Sequence, residues 1–210
     1  MKLTLLLILL CVFAFVYTAF AVQDVNAFFN DYGFSGANLI NRPYTLVTSI
    51  FLHGGFDHLI ANIFVLFFFG IAVEKELGKL KYLAIFFFGA FAGDFLSLIA
   101  YPFDTIAIGA SAGIFALIGI GMLVKPLDLS LYPLIIPIPL AMLGLAYIVF
   151  NAYEFIAMPA SNISYVAHFG GFFVGLLYGF HKEGWKKGMK IILIALAIMI
   201  IVPLVWILLA

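Results

Sequence analysis

The chain has 210 residues, of which 66% are hydrophobic and 10% charged, and its mean hydropathy is +1.24. Soluble domains carry roughly 25% charged residues, so this composition excludes a soluble globular protein and reads as an integral membrane protein with the lipid bilayer as a partner. The formal net charge of +0 argues against nucleic acid as a partner, and the single cysteine, Cys11, excludes an intrachain disulfide.

A membrane-crossing helix needs about 20 apolar residues. Seven segments are candidates: residues 3–22, 58–73, 80–100, 109–124, 131–153, 165–180 and 191–210. The longest polar stretch, residues 23–42, is long enough only for a loop. No separate soluble domain fits, so residues 1–210 read as a single all-α, polytopic membrane domain. At the N-terminus, Lys2, an apolar run and Ala19-Phe20-Ala21 are similar to a signal peptide with its cleavage site. The run is longer than a usual signal h-region, and we read it as a retained span.

The fourth segment is short. About sixteen residues rise roughly 24 Å, less than the roughly 30 Å hydrocarbon core. It is expected to start below one surface, reached by a loop over residues 101–108 that dips inward. Non-helical backbone at that depth is tolerated only where it is buried in protein or lines a water-filled cavity. Early in the fifth segment, Pro133, Pro137 and Pro139 are expected to weaken or kink the helix. That gives either a sideways path for a substrate arriving from lipid or a static bend.

Basic residues set the expected orientation. In a seven-span arrangement Lys2, Lys75, Lys79, Lys81, Lys125, Lys182, Lys186, Lys187 and Lys190 fall on one side, and Arg42 alone on the other. The positive-inside rule then places the N-terminus in the cytoplasm and the C-terminus outside, in the plasma membrane. The loops holding Asp24, Asp31, Asp104 and Glu154 face outward, and Ser111 and His168 share a depth near the outer ends of their helices.

Ser111 lies in Gly109-Ala110-Ser111-Ala112-Gly113, and His168 in Tyr165-Val166-Ala167-His168-Phe169-Gly170-Gly171. A hydroxyl and an imidazole at membrane depth are costly without partners or a function. Together they are what nucleophilic hydrolysis requires, an attacking oxygen and a base for its proton. Taken alone, Ser111 can equally bond the backbone one turn back. The flanking glycines, which permit close approach, and the free N–H groups of a helix N-terminus favour the functional role.

His58 and Asn62 are four apart on one helical face and follow His53 in Phe51-Leu52-His53-Gly54-Gly55-Phe56-Asp57-His58. Both donate hydrogen bonds, so they suit either an oxyanion hole or an interhelical polar contact. Their convergence with Ser111 and His168 at one depth favours the oxyanion hole, with Ser111 N–H as a further donor. His168, Gly171, Gly175 and Gly179 lie on one face and form a seam expected to pack on Ala112, Gly113, Ala116 and Gly119. Phe115, one turn after Ser111, is placed to stack on the imidazole. No acidic third member is evident, so a dyad is expected.

Other polar residues have weaker claims. Asp94 suits a buried polar contact. Gly93-Asp94 is similar to the motif of aspartyl intramembrane proteases, but those need a second membrane aspartate, and none is visible. His53, Asp57, His58 and His168 lack a recognisable metal-ligand spacing, and no metal or cofactor is expected. His181 sits among lysines and is solvated. Asn162-Ile163-Ser164 is a sequon on the outward side.

Over residues 43–180 the chain resembles the rhomboid intramembrane serine proteases. The matching pieces are Phe51-Leu52-His53 with His58 and Asn62; Glu74, Gly78 and Tyr82; Gly109-Ala110-Ser111; and Ala167-His168 with Gly170-Gly171. The resemblance implies a six-helix core (residues 1–180) and, in residues 181–210, a basic loop and an added C-terminal transmembrane helix. It implies Ser111 as nucleophile, His168 as general base, an oxyanion hole of His58, Asn62 and Ser111 N–H, and a supporting role for His53. It also implies cleavage of transmembrane protein substrates near the outer face, at small residues in helix-unstable stretches. Two positions depart from the family: Ala112 stands where glycine usually follows the serine, and Tyr44-Thr45 stands where Trp-Arg is often found. A catalytically inactive relative that binds membrane helices is the second expectation; a proton-coupled transporter using Asp94 and the histidines is the third.

Overall fold

In lipid the backbone has no water to bond, so long apolar runs close into helices. The structure, a computed structural model, describes residues 1–129, 138–157 and 164–209. Its helices are α1 (Lys2–Ala21), α2 (Val25–Tyr32), α3 (Gly36–Asn41), α4 (Thr45–Thr48), a 3₁₀ turn (Ser49–Phe51), α5 (Phe56–Leu77), α6 (Lys79–Ala100), α7 (Ser111–Val124), α8 (Leu140–Ala157), α9 (Tyr165–Glu183) and α10 (Trp185–Leu209). Five of them, α1, α5, α6, α8 and α10, are long and apolar enough to cross a membrane. The seven expected segments overlap α1 and α5–α10, with two differences. α8 runs from Leu140 to Ala157, later than the expected 131–153, of which residues 131–137 lie outside the described residues. The basic stretch expected as a loop after residue 180 is helical apart from Gly184, because α9 runs to Glu183 and α10 starts at Trp185. Phe13, Phe20, Ile99, Ile156 and Leu208 project from the bundle with more than half their surface exposed, as side chains facing lipid do.

The shortest long helix is the centre of the bundle. α7 has 14 residues, about 21 Å of rise, and every residue from Ala112 to Leu123 is buried. It is surrounded by α5, α6, α8 and α9. It starts at Ser111, two residues later than expected, because Gly109 has φ +122° and breaks the helical path. The loop over residues 101–110 is latched to the segment before α3. Phe34 N–H donates to the Ala107 carbonyl (2.9 Å), Ala107 N–H to the Phe34 carbonyl (2.7 Å), and Gly36 N–H to the Phe103 carbonyl (2.9 Å). The loop is therefore fastened to the protein through its own backbone, while residues 102–105 stay exposed.

Small residues let α6, α7 and α9 meet backbone to backbone. A Cβ at Gly171 would overlap the Ala112 carbonyl oxygen, and one at Gly175 the Ala116 carbonyl oxygen; one at Gly119 would lie 2.5 Å from the Phe172 carbonyl oxygen. The seam between α7 and α9 thus forms, with one correction. Gly113 faces α6, where a Cβ would lie 2.8 Å from the Phe86 carbonyl oxygen. Three to four residues advance a helix by one turn, and Gly113 is two positions from the Ser111 face.

A second correction concerns Pro139. Pro133 and Pro137 lie outside the described residues, as do Asn162 and Ile163. Pro139 precedes α8, and its carbonyl accepts from Met142 N–H (3.0 Å) and Leu143 N–H (3.1 Å). It opens the helix and kinks nothing, since the first turn needs no donor from that position.

Glu74 fastens α1 to α5. Its buried carboxylate accepts from Thr4 N–H (2.9 Å), Thr4 Oγ1–H (2.8 Å) and Leu3 N–H (3.2 Å), which are first-turn donors with no intrahelical acceptor. Charge-assisted bonds of this kind are each worth about 1.5–3 kcal/mol. Glu74→Ala should destabilise the bundle by about 2–4 kcal/mol, read as a lower melting temperature in detergent; an unchanged melting temperature would show that α1 is held by its apolar contacts alone.

Candidate active site

Two turns deliver the site. Gly54 and Gly55 end the loop after the 3₁₀ turn and start α5, so His58 and Asn62 occupy its first two turns. Gly109 then bends the chain into α7 with Ser111 as its first residue. Gly109 N–H donates to the Ser49 carbonyl (2.9 Å), tying the serine loop to the 3₁₀ turn. Its positive φ strains other residues, and a Cβ there would lie 2.9 Å from His58 Cε1. α9 begins at Tyr165, capped by Ser164, whose Oγ accepts from Ala167 N–H (3.4 Å) and meets Ser97 Oγ on α6 (3.0 Å). His168 is in its first turn.

The serine and histidine meet. His168 Nε2 is 2.9 Å from Ser111 Oγ, a hydrogen-bond distance. Phe115 stacks on the imidazole, with ring centroids 4.3 Å apart and planes 8° apart, and Tyr165 meets its edge. Both hydrogen-bonding residues line a cavity of about 1000 Å³, together with His58, Asn62, Tyr147 and Asn151. Loop residues Gly54, Gly55 and Thr105 also line it.

The donors expected for an oxyanion are in the same cavity. Asn62 is buried, and one of its amide hydrogens is donated to the His58 carbonyl (2.8 Å). Ser111, first in its helix, has an N–H with no intrahelical acceptor. His53 does not line the cavity. It packs beside His58 with ring centroids 5.0 Å apart, and its Nδ1–H donates to the Phe51 carbonyl (3.1 Å). Burial, aided by the neighbouring His58, pushes the His53 imidazole down to about 4, so it is neutral at neutral pH. Gly171 and Gly113 lie behind the site, in the contacts of α7 with α9 and α6.

Asp94 is not brought to the cavity. It is buried on α6, and its Oδ2 has no hydrogen-bond partner among the described residues. Asn151, by contrast, was absent from every sequence expectation. Its Oδ1 is 2.6 Å from His168 Nδ1. The available signal was a lone asparagine in the apolar segment Tyr147-Ile148-Val149-Phe150-Asn151.

Residues 41–185 match the Rhomboid domain. The chain belongs to the rhomboid family. Among curated proteins it is 36% identical over 77 residues to a putative rhomboid protease of Bacillus subtilis (strain 168), covering 37% of this chain and 39% of that protein. It is 34% identical over 79 residues to rhomboid-like protease 1 of Toxoplasma gondii, covering 38% of this chain and 27% of that one. It is 30% identical over 142 residues to RHOMBOID-like protein 7 of Arabidopsis thaliana, covering 66% of this chain and 42% of that one. The chain thus spans less than half the length of these relatives.

Two positions of this rhomboid are expected to depart from the family pattern, Ala112 and Tyr44-Thr45. Ala112 is buried where α6, α7 and α9 meet: its Cβ faces Gly93 of α6, and its carbonyl oxygen lies against Gly171 of α9. The loop is anchored by other means. Asn38 Nδ2 donates to the carbonyls of Asn30 (2.7 Å) and Gly33 (2.8 Å), Tyr44 OH to that of Asp31 (3.3 Å), and Thr48 Oγ1 to that of Tyr32 (2.7 Å). Arg42 pairs with Asp31 at 2.6 Å.

Proposed function

We propose that this rhomboid is an intramembrane serine protease that hydrolyses peptide bonds in or near transmembrane segments of membrane proteins. The observation that carries the proposal is the 2.9 Å contact of Ser111 Oγ with His168 Nε2 inside a cavity open to loop residues. Ser111 Oγ attacks the scissile carbonyl carbon as its proton passes to His168 Nε2. The oxygen of the tetrahedral intermediate takes the negative charge, facing Ser111 N–H, His58 and Asn62. His168 then gives its proton to the leaving nitrogen, the C–N bond breaks, and Ser111 holds an acyl ester. Water, deprotonated by His168, hydrolyses that ester and regenerates the hydroxyl.

A helical substrate hides its carbonyls in i→i−4 bonds. Substrates are therefore segments with small, helix-unstable stretches. The domain plan is a core over residues 1–180 with residues 181–210 appended. The lysine-rich ends face the cytoplasm, which puts the Ser111 end on the outer side of the plasma membrane.

The test is covalent labelling of the purified protein by a serine-reactive fluorophosphonate, which needs no known substrate. Labelling of the wild type is expected. A folded, monodisperse wild type that takes no label and cleaves no transmembrane substrate would place the chain among inactive, helix-binding rhomboids. His58→Ala and Asn62→Ala should each lower the rate by about 10²–10³, the cost of one oxyanion donor. Rates within about twofold of wild type in both would remove these side chains from the oxyanion hole.

A further inference from the structure

Asn151 is a polar side chain on the largely apolar helix α8, and it is only 3% exposed. A buried amide is costly unless its donors and acceptor are used. Here both ends are. Nδ2 donates to the Tyr165 carbonyl at 3.2 Å, and Oδ1 lies 2.6 Å from His168 Nδ1. A carbonyl only accepts, so the Tyr165 contact fixes which end of the amide is nitrogen. Oδ1 then faces the imidazole, and it too only accepts. The proton of a neutral His168 must therefore sit on Nδ1. That leaves Nε2 bare and facing the Ser111 hydroxyl, the tautomer a general base needs.

The helix that supplies Asn151 is seated differently from its neighbours. α7 and α9 are locked by backbone contact at Gly171 and Gly175. α8 meets α7 through side chains, as where a Cβ at Gly144 would lie 3.1 Å from Met122 Cβ. One turn on from Asn151, Glu154 accepts from Tyr165 OH at 3.0 Å. Asn151 and Glu154 thus share the α8 face that grips the start of α9.

Resting on the assignment of Ser111 and His168 above, we propose that Asn151 is a positioning residue: it holds His168 in the Nδ1–H tautomer, and the seating of α8 on α9 is what arms the base. Ser111 and His168 come from two helices locked together, whereas the group that sets the proton comes from a third. When α8 moves away, the imidazole loses its acceptor, and the tautomer with a protonated Nε2, which cannot accept from Ser111, becomes populated.

The experiment combines two readouts on the full chain in detergent or nanodiscs. The first is 15N NMR of histidine-labelled protein, with His168 assigned through His168→Gln; it reports the tautomer whether or not the protein is active. The second is the rate of fluorophosphonate labelling and of cleavage of a transmembrane substrate. Asn151→Leu keeps the volume and removes the acceptor; Asn151→Asp keeps an acceptor. The wild type should show protonated Nδ1 and bare Nε2 at His168. Asn151→Leu should show a mixture, with kcat lowered about 10- to 100-fold and KM within about twofold. Asn151→Asp should recover most of the rate. An unchanged tautomer or unchanged kcat in a folded Asn151→Leu protein overturns the proposal. So does an equal loss in Asn151→Asp that tracks a lowered melting temperature. Should Asn151→Leu not fold, Glu154→Gln, which weakens the α8 grip and spares Asn151, must still shift the tautomer and kcat; no shift overturns the proposal. A tautomer shift in Asn151→Leu with an inert wild type supports the positioning and overturns the protease function, so the two failures are distinct.

Discussion

Ser111→Ala should abolish both fluorophosphonate labelling and peptide hydrolysis while the protein stays folded. Removal of the nucleophile in a hydroxyl–imidazole pair leaves only what binding and oxyanion contacts provide, a loss on the order of 10⁴-fold or more in kcat. The structural cost is small. Ser111 Oγ stands at the cavity wall with His168 as its partner, so deleting it forfeits about 1 kcal/mol of hydrogen bonding. His168→Ala should be as severe, since the serine then has no base. The double variant should be little worse than either single one, because the two groups act as a unit. Equal melting temperatures with no activity would satisfy the expectation. Turnover by a well-folded Ser111→Ala protein would show that the nucleophile is another group.

Gly171→Val should be the most damaging change to the fold. A side chain at Gly171 points at the Ala112 carbonyl oxygen, which is backbone of a buried helix and cannot swing aside. Relief requires α7 and α9 to separate, which opens the packing along Ala112, Ala116 and Gly175. Overpacking commonly costs 1–3 kcal/mol where side chains can adjust; with backbone on the other side we expect more than about 3 kcal/mol. The expected result is loss of a monodisperse peak in detergent, or a large fall in melting temperature. Gly55→Ala is the control. Its φ of −173° suits any residue and a Cβ there meets nothing within 4 Å, so its stability should stay within about 0.5 kcal/mol of wild type. Should Gly171→Val melt like that control, the close contact of α7 and α9 would not be what holds the bundle.

Much of the plan was legible because it is one-dimensional. Membrane residence and the order of the spans follow from the length and composition of apolar runs, which no tertiary contact alters. The pairing of Ser111 with His168 was readable because both are polar groups near the same ends of their spans. Phe115 follows from the helical period, one turn beyond Ser111. Rotation about each helix axis was not legible. α7 is apolar on every side and buried on every side, so its hydropathy does not say which face meets α6 and which meets α9. For that reason the α6 contact of Gly113 does not follow from the sequence.

The sequence by itself determined an all-helical membrane protein, its spans, and the chemical types at its centre, because residue identity and run length are local properties. Tertiary structure alone decided the contacts that depend on helix rotation. It brought Asn151 to the second nitrogen of His168 across two helices, and latched Phe34 to Ala107 so that the serine loop could enter the bundle. Those contacts depend on helix rotation and close backbone approach, set jointly by the small residues of α6, α7 and α9, and no single segment carries that information.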